Sequence, residues 1–217
     1  MGRLLAVFFI SVVGSKSIAA SSSFVKSMTL GFDFGMSYDI AQDPAGGYGT
    51  GFGSHGGLFS VLKKENSWPI KFRFENINLK EEGTSKASFQ YQNTTNFFKS
   101  YEQRYWLLSG GIEKRFQGEN HIGFFEMLVG YGWGQPSQIV LEQSSTSNQF
   151  TYVTCNTLSS FVLSLGGGFR RHIGKSWDGL FSVRTLYAFG GTYGDLLSGT
   201  SFIVVPVLFS LGLEYNF

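Results

Sequence analysis

The chain has 217 residues, 17 basic and 15 acidic side chains, 29 Gly, 23 Phe, a mean hydropathy near zero and one cysteine, Cys155. Near neutrality excludes the basic face that a nucleic-acid partner requires. A lone cysteine excludes an internal disulfide, the absence of a Cys/His cluster leaves no cofactor or metal to expect, and the hydropathy is far too low for a bundle of membrane helices.

In chain order, the first element is a leader. Arg3 precedes the apolar run from Leu4 to Gly14, and a small-residue stretch ends at Ser17-Ile18-Ala19-Ala20. The run is too short to span a bilayer as a helix, so residues 1–20 read as a secretory signal peptide cleaved after Ala19 or Ala20. Its loss removes Arg3 and Lys16 and no acid, which leaves residues 21–217 formally neutral as one β domain. The longest later apolar stretch, Phe202 to Phe209, is interrupted by Pro206. It is also too short for a spanning helix.

The rest of the chain shows period-2 alternation in segments of about ten residues, the pattern of strands with one apolar and one polar face. The first strand sets Met28, Leu30, Phe32, Phe34, Met36 and Tyr38 against Thr29, Gly31, Asp33, Gly35 and Ser37. Gly51 to Lys63 is a second strand, Gly-rich and ambiguous in phase. The third, from Ile70 to Lys80, places Ile70, Phe72 and Phe74 outward and Lys71, Arg73 and Glu75 inward, then slips phase at Ile77 and Leu79, which implies a bulge or an exit from the membrane. The fourth opposes Trp106, Leu108, Ile112 and Phe116 to Tyr105, Leu107, Ser109, Gly111, Glu113 and Arg115. The fifth opposes Phe125, Met127, Val129, Tyr131 and Trp133 to Phe124, Glu126, Leu128, Gly130 and Gly132. The sixth has Phe161, Leu163, Leu165, Gly167 and Phe169 outside and Val162, Ser164, Gly166, Gly168 and Arg170 inside. The seventh alternates Phe181, Val183, Thr185, Tyr187 and Phe189 with Leu180, Ser182, Arg184, Leu186 and Ala188. The last counts back from Phe217 through Tyr215, Leu213, Leu211, Phe209, Val207, Val205 and Ile203, with Leu208 the one apolar residue among Asn216, Glu214, Gly212, Ser210 and Pro206.

These segments predict an all-β fold, a single antiparallel up-and-down transmembrane barrel of eight strands, with six or ten as the alternative counts, whose first and last strands pair so that no edge is left to the lipid. Short turns are expected near 64–68, 117–120 and 172–178, and long polar loops at 39–50, 81–100, 134–156 and 191–199, which puts Cys155 in a loop. Short turns face the periplasm and long loops the exterior in such barrels, so both termini are expected to be periplasmic. A soluble barrel with the aromatic face turned inward is the bland alternative. Eight strands enclose too little space for so many rings, and Tyr38, Trp133, Tyr187 and Tyr215 recur near strand ends as an aromatic girdle would.

The leader, the alternation, the loop rhythm and the ending Leu213-Glu214-Tyr215-Asn216-Phe217 resemble the small bacterial outer-membrane barrels of the OmpA, OmpX and OmpW type. The resemblance implies outer-membrane localisation, contact with membrane lipid and lipopolysaccharide, and handling by periplasmic chaperones and the barrel-assembly machinery. That machinery would read Phe217, Tyr215, Leu213 and Leu211 as the assembly signal. No surface ligand can be named from the sequence. Some barrels of this kind are lipid A deacylases or palmitoyltransferases, for which Ser54, His55 and Glu126 are the available groups. Spacing alone does not bring a nucleophile to its base, so no enzyme is expected. His121 and His172 fall in short turns. Gly166-Gly167-Gly168 lies within a strand and lacks the following helix of a phosphate loop. Lys114 and Arg171 lie on outward faces near short turns and are expected to snorkel.

The inward charges are Asp33, Glu75, Glu113, Glu126 and Glu214 against Lys71, Arg73, Arg115, Arg170 and Arg184. An equal count implies a salt-bridged plug more than a lining of one sign. The expected function is a structural or surface-interaction scaffold with extracellular loops and a largely plugged lumen. A narrow channel for small solutes is the alternative, and a lipid-modifying enzyme a more distant one.

Overall fold

The computed structural model describes residues 26–42, 48–63, 67–82, 88–91, 94–118, 121–143, 150–189 and 203–217. The proposed leader, residues 1–20, lies outside them. The described elements are β1 (Ser27–Gln42), β2 (Tyr48–Lys63), β3 (Ile70–Glu82), β4 (Ser88–Tyr91), β5 (Thr94–Gln117), β6 (Ile122–Gln143), β7 (Phe150–His172), β8 (Trp177–Phe189) and β9 (Ile203–Asn216). All pairings are antiparallel, in the order β3-β2-β1-β9-β8-β7-β6-β5-β4, and a β3–β5 pairing closes the sheet. The barrel therefore has eight staves, the expected number, and β4 is a short addition paired with the start of β5.

The closure has a definite stagger. The path through hydrogen-bonded neighbours runs from Leu107 to Glu75, Gly57, Asp33, Gly212, Leu180, Arg170 and Ile122, and returns to β5 at Gln117, ten residues from its start. Ten residues of stagger over eight strands correspond to a tilt of about 40°.

Period-2 alternation decides what each face meets. Phe34, Met36, Phe125, Val129, Phe161, Tyr187 and Leu211 are exposed on the outside, while Asp33, Arg73, Glu126, Arg170 and Arg184 are buried inside. A soluble protein would invert this arrangement. Rings meet along the outer face, as in Phe74 stacked on Trp106 at 5.2 Å and Tyr131 edge-on to Phe161 at 5.6 Å.

Three sequence expectations need correction. Ile77 and Leu79 do not slip phase: both are fully buried and continue the inward row of Lys71, Arg73 and Glu75. The expected loops 39–50, 81–100 and 134–156 are largely strand, since β1 runs to Gln42 and β2 begins at Tyr48, and β5 has 24 residues, β6 has 22 and β7 has 23, while the expected loop 191–199 lies outside the described residues. Cys155 consequently lies within β7 and not in a loop. Beyond the lipid neither face must be apolar, so the alternation that identifies membrane strands disappears although pairing continues. Register shifts between Phe98 and Ser100, Glu102 and Tyr105, and on both sides of Pro136 further scramble the phase, as expected where proline interrupts a ladder. At about 3.3 Å per residue and a tilt of about 40°, a 24-residue strand rises about 60 Å, twice the bilayer's hydrocarbon core, whereas the 13 residues of β8 about match that core. The surplus of β5 to β7 lies at the end opposite the short turns. We call these the loop end and the turn end.

Candidate functional site: the barrel lumen

Because tilt and stagger bring distant strands to one level, the barrel interior gathers all ten charged residues singled out from the sequence. Each is buried except Arg115, which is partly exposed at 24%. They form one connected network. The Arg73 guanidinium donates to Asp33 at 2.5 Å and to Glu75 at 3.0 Å. Arg184 donates to both oxygens of Glu75, at 3.0 and 2.8 Å, and its Nε lies 3.6 Å from Glu126. Lys71 joins Glu126 at 2.5 Å to Glu113 at 3.4 Å. Arg170 donates to Glu113 at 2.6 Å and also pairs with Glu214, and Arg115 reaches Glu113 at 2.7 Å. No charge in the set lacks an opposite partner, the condition under which buried ions are tolerated at all.

Glycine makes the space for these groups. A Cβ on Gly166 would come within 2.3 Å of the Arg184 Cγ, and one on Gly168 within 2.0 Å of the Phe181 carbonyl oxygen. The triple glycine is thus where long lumen side chains and neighbouring backbone need room.

Two aromatic rings, Phe59 and Phe124, interleave with the cations. Lys71 Nζ lies 4.5 Å from the Phe59 ring and 5.3 Å from the Phe124 ring, Arg73 lies 5.7 Å from Phe59, and Arg170 lies 4.1 Å from Phe124. The sequence Arg73, Phe59, Lys71, Phe124, Arg170 is a cation–ring stack through the turn-end half of the lumen, of a kind worth most when desolvated. Phe59, Val61, Phe124 and Leu180 form an apolar cluster beside it. The Gly-rich second strand hides Phe59, since Gly53 and Gly57 supply no phase, while the alternation of the fifth strand turns Phe124 inward without showing that it meets a cation.

Toward the loop end the lining changes character. On β3 the charges give way to Ile77 and Leu79, on β5 Glu113 and Ser109 give way to Leu107 and Tyr105, on β8 Arg184 is followed by Leu186, and on β9 Leu208 precedes Ser210. These apolar side chains, with Leu128 and Val162, are between 0 and 1% exposed, and the buried polar Ser37, Gln103 and Ser160 lie in the same loop-end half. Leu208, the exception in the last strand's alternation, belongs to this layer. At the boundary between the layers, His55 Nε2 lies 2.8 Å from Ser210 Oγ, and both residues are buried.

The groups considered for catalysis are not brought together. Ser54 is exposed on the outer face while His55 points inward, as neighbours in a strand must. Glu126 is held by Lys71. His121 is exposed before β6, and His172 Nδ1 contacts Asp178 at the turn end. Asp178 also accepts from Asn216 at 2.9 Å, and Thr29 donates to Asn216 at 2.8 Å, which ties β8, β9 and β1 across the closing seam. Among the described residues no three His, Cys, Asp or Glu side chains form a metal-binding group.

The sequence-predicted assembly residues share one outward face of β9. Leu211 and Phe217 are exposed, Leu213 and Tyr215 half-buried. Tyr215 meets Phe217 edge-on at 4.7 Å and Trp177 at 5.1 Å, so the end of the chain is an aromatic cluster on the turn-end rim.

An apolar belt outside, a fully paired ionic interior and eight antiparallel staves define a small transmembrane β-barrel. The solved structures with this fold include the Neisserial surface protein A, with a TM-score of 0.51 at 10% identity over 88% of this chain and 97% of that one. They also include a major outer membrane protein from Thermus thermophilus, with a TM-score of 0.50 at 11% identity over 87% of this chain and 99% of that one. At such identities the likeness is one of fold. No family model matches the sequence, and no curated protein is similar to it.

Proposed function

We propose that this chain is a bacterial outer-membrane barrel that serves as a surface-interaction scaffold and does not conduct solutes. What supports the reading is the single ten-residue ionic network, in which every charge has an opposite partner, with buried Ile77, Leu107, Leu186 and Leu208 beyond it toward the loop end. Channels need a lining weak enough to release what it binds. Here every lumen cation is engaged by a fixed anion.

The overlong β5, β6 and β7 support the second half of the proposal. They carry structure well past the hydrocarbon on one side only, and in this reading that side is the cell exterior, with lipopolysaccharide around its base and the turns and both termini in the periplasm. The outward row Leu211, Leu213, Tyr215 and Phe217 would be read by the assembly machinery before membrane lipid covers it. Planar-bilayer recording on the refolded protein tests the central point. A silent bilayer, in protein shown to be folded by its resistance to protease, is the expected result. A steady conductance would replace the scaffold reading by a narrow channel.

A further inference from the structure

The two rims of the barrel treat their surface charges differently. At the loop end exposed cations have anionic neighbours: Arg104 pairs with Glu102 at 3.0 Å and Lys99 with Glu142 at 3.8 Å. At the turn end Lys63, Lys114, Arg171 and Lys175 are exposed and meet no carboxylate among the described residues. The acids of that end, Glu113, Glu214 and Asp178, are buried. The turn sequences add Lys64, Glu65 and Glu119, so the rim remains positive when they are counted.

Lys114 has the most defined setting. The β3–β5 register pairs Ile70 with Ile112, which brings Trp68 across from Lys114, and the Glu113 amide fixes this junction by donating to the Pro69 carbonyl at 2.9 Å. Lys114 Nζ lies 5.4 Å from the Trp68 ring and 5.5 Å from the Phe116 ring. Both rings are more than half exposed on the outer face. The Lys114 ammonium thus sits against an indole and a phenyl ring on the outer face, and in a membrane barrel such rings gather at the headgroup level.

From this geometry we infer that the turn-end rim binds anionic phospholipid headgroups, with Lys114 on its Trp68–Phe116 platform as the principal site. The inference rests on the membrane-barrel reading above. The partner is identified by charge and place: a negatively charged phosphodiester whose acyl chains lie along the apolar belt beneath the cation. A zwitterionic lipid offers the same phosphate with its own ammonium beside it and gains less from Lys114. A rim of exposed cations next to a membrane attracts acidic lipid with a preference of about five-fold per charge.

The test uses full-length mature protein refolded into vesicles, with Trp106, Trp133 and Trp177 replaced by Phe so that Trp68 is the sole indole. Its fluorescence is followed as phosphatidylcholine is exchanged either for brominated phosphatidylglycerol or for brominated phosphatidylcholine, both quenchers acting only in the first lipid shell. The expected result is stronger quenching by the phosphatidylglycerol, lost about five-fold in relative affinity in Lys114→Gln, kept in Lys114→Arg and reduced by salt. A companion protein retaining only Trp133 should show no preference. Equal quenching by the two lipids in the parent protein, or a preference unchanged in Lys114→Gln, would overturn the inference while leaving the barrel in its membrane. Absence of quenching by either lipid would refute the membrane reading and the inference with it.

Discussion

Replacing Arg184 by alanine takes out the central cation of the lumen. Arg184 makes two hydrogen bonds to Glu75, at 3.0 and 2.8 Å, lies 3.6 Å from Glu126 and is 1% exposed. Its removal leaves Glu75 with Arg73 alone, and Arg73 is already committed to Asp33. Glu126 keeps only Lys71, which is shared with Glu113. An uncompensated carboxylate in so closed a place costs about 3–5 kcal/mol. Denaturant unfolding of the refolded protein in vesicles, followed by tryptophan fluorescence, should show a loss of that size. The decisive comparison is Arg184→Met with Glu75→Gln. The double replacement restores an equal count of acids and bases and should recover at least about 2 kcal/mol of what Arg184→Met alone loses, since both residues belong to one pair. A single replacement costing under about 1 kcal/mol, or a double replacement costing the sum of its parts, would show that the lumen is well hydrated and that the network is not a buried one.

Three further outcomes rest on the same geometry. Gly168→Val should destabilise the barrel by several kcal/mol or block its folding, because the first atom of the new side chain falls 2.0 Å from the Phe181 oxygen, and a refolding gel shift measures this. Deleting Phe217 removes one ring of the Tyr215–Trp177 cluster and should lower membrane insertion in cells, with protein accumulating as periplasmic aggregate in fractionation. A protease site placed between Gln143 and Phe150 should be cut in intact cells and one between Gln117 and Ile122 should not; the opposite pattern would invert the orientation.

The extent to which sequence specified this molecule depended on lipid. Inside the bilayer each strand must be apolar on one face, so a residue such as Arg73 between Phe72 and Phe74, or Glu126 between Phe125 and Met127, reveals its direction by its neighbours alone. All ten lumen charges were legible for this reason. The inner face obeys no such rule. Ile77, Leu79 and Leu208 are apolar and point inward, so the same reasoning misread the first two as a change of phase and left the third as an exception. Phe59 was hidden for another reason, since the glycines around it carry no face information. Above the membrane both constraints lapse, and the outer half of β5, β6 and β7 passed for loop because Ser, Thr, Asn and Gln on both faces look alike whether or not the backbone is paired.

If the lumen is closed as proposed, the paired charges and the apolar side chains beyond them are two barriers in series, and their order along the strands makes the contribution of each measurable. In the non-conducting reading proposed above, ions are stopped at the turn-end half by fixed charges already paired, and at the loop-end half by Leu107, Leu186, Leu208 and Ile77, which offer water no hydrogen bond. Loosening the ionic layer with Arg184→Ala should therefore yield at most brief openings, because the apolar layer above it remains dry. Replacing Leu107 and Leu208 by serine should cost about 2–5 kcal/mol at each site, the range for truncating a buried leucine, and should also leave the bilayer silent, since the charge network below is intact. The three changes together, in protein confirmed to be folded by its resistance to protease, should give sustained conductance well above that of either variant alone. If Arg184→Ala by itself conducts as strongly as the triple variant, the apolar layer is no barrier and the seal is ionic throughout. If the serine pair by itself conducts fully, ions pass the charged half freely, and the pairs seen there must exchange with water faster than a buried network allows.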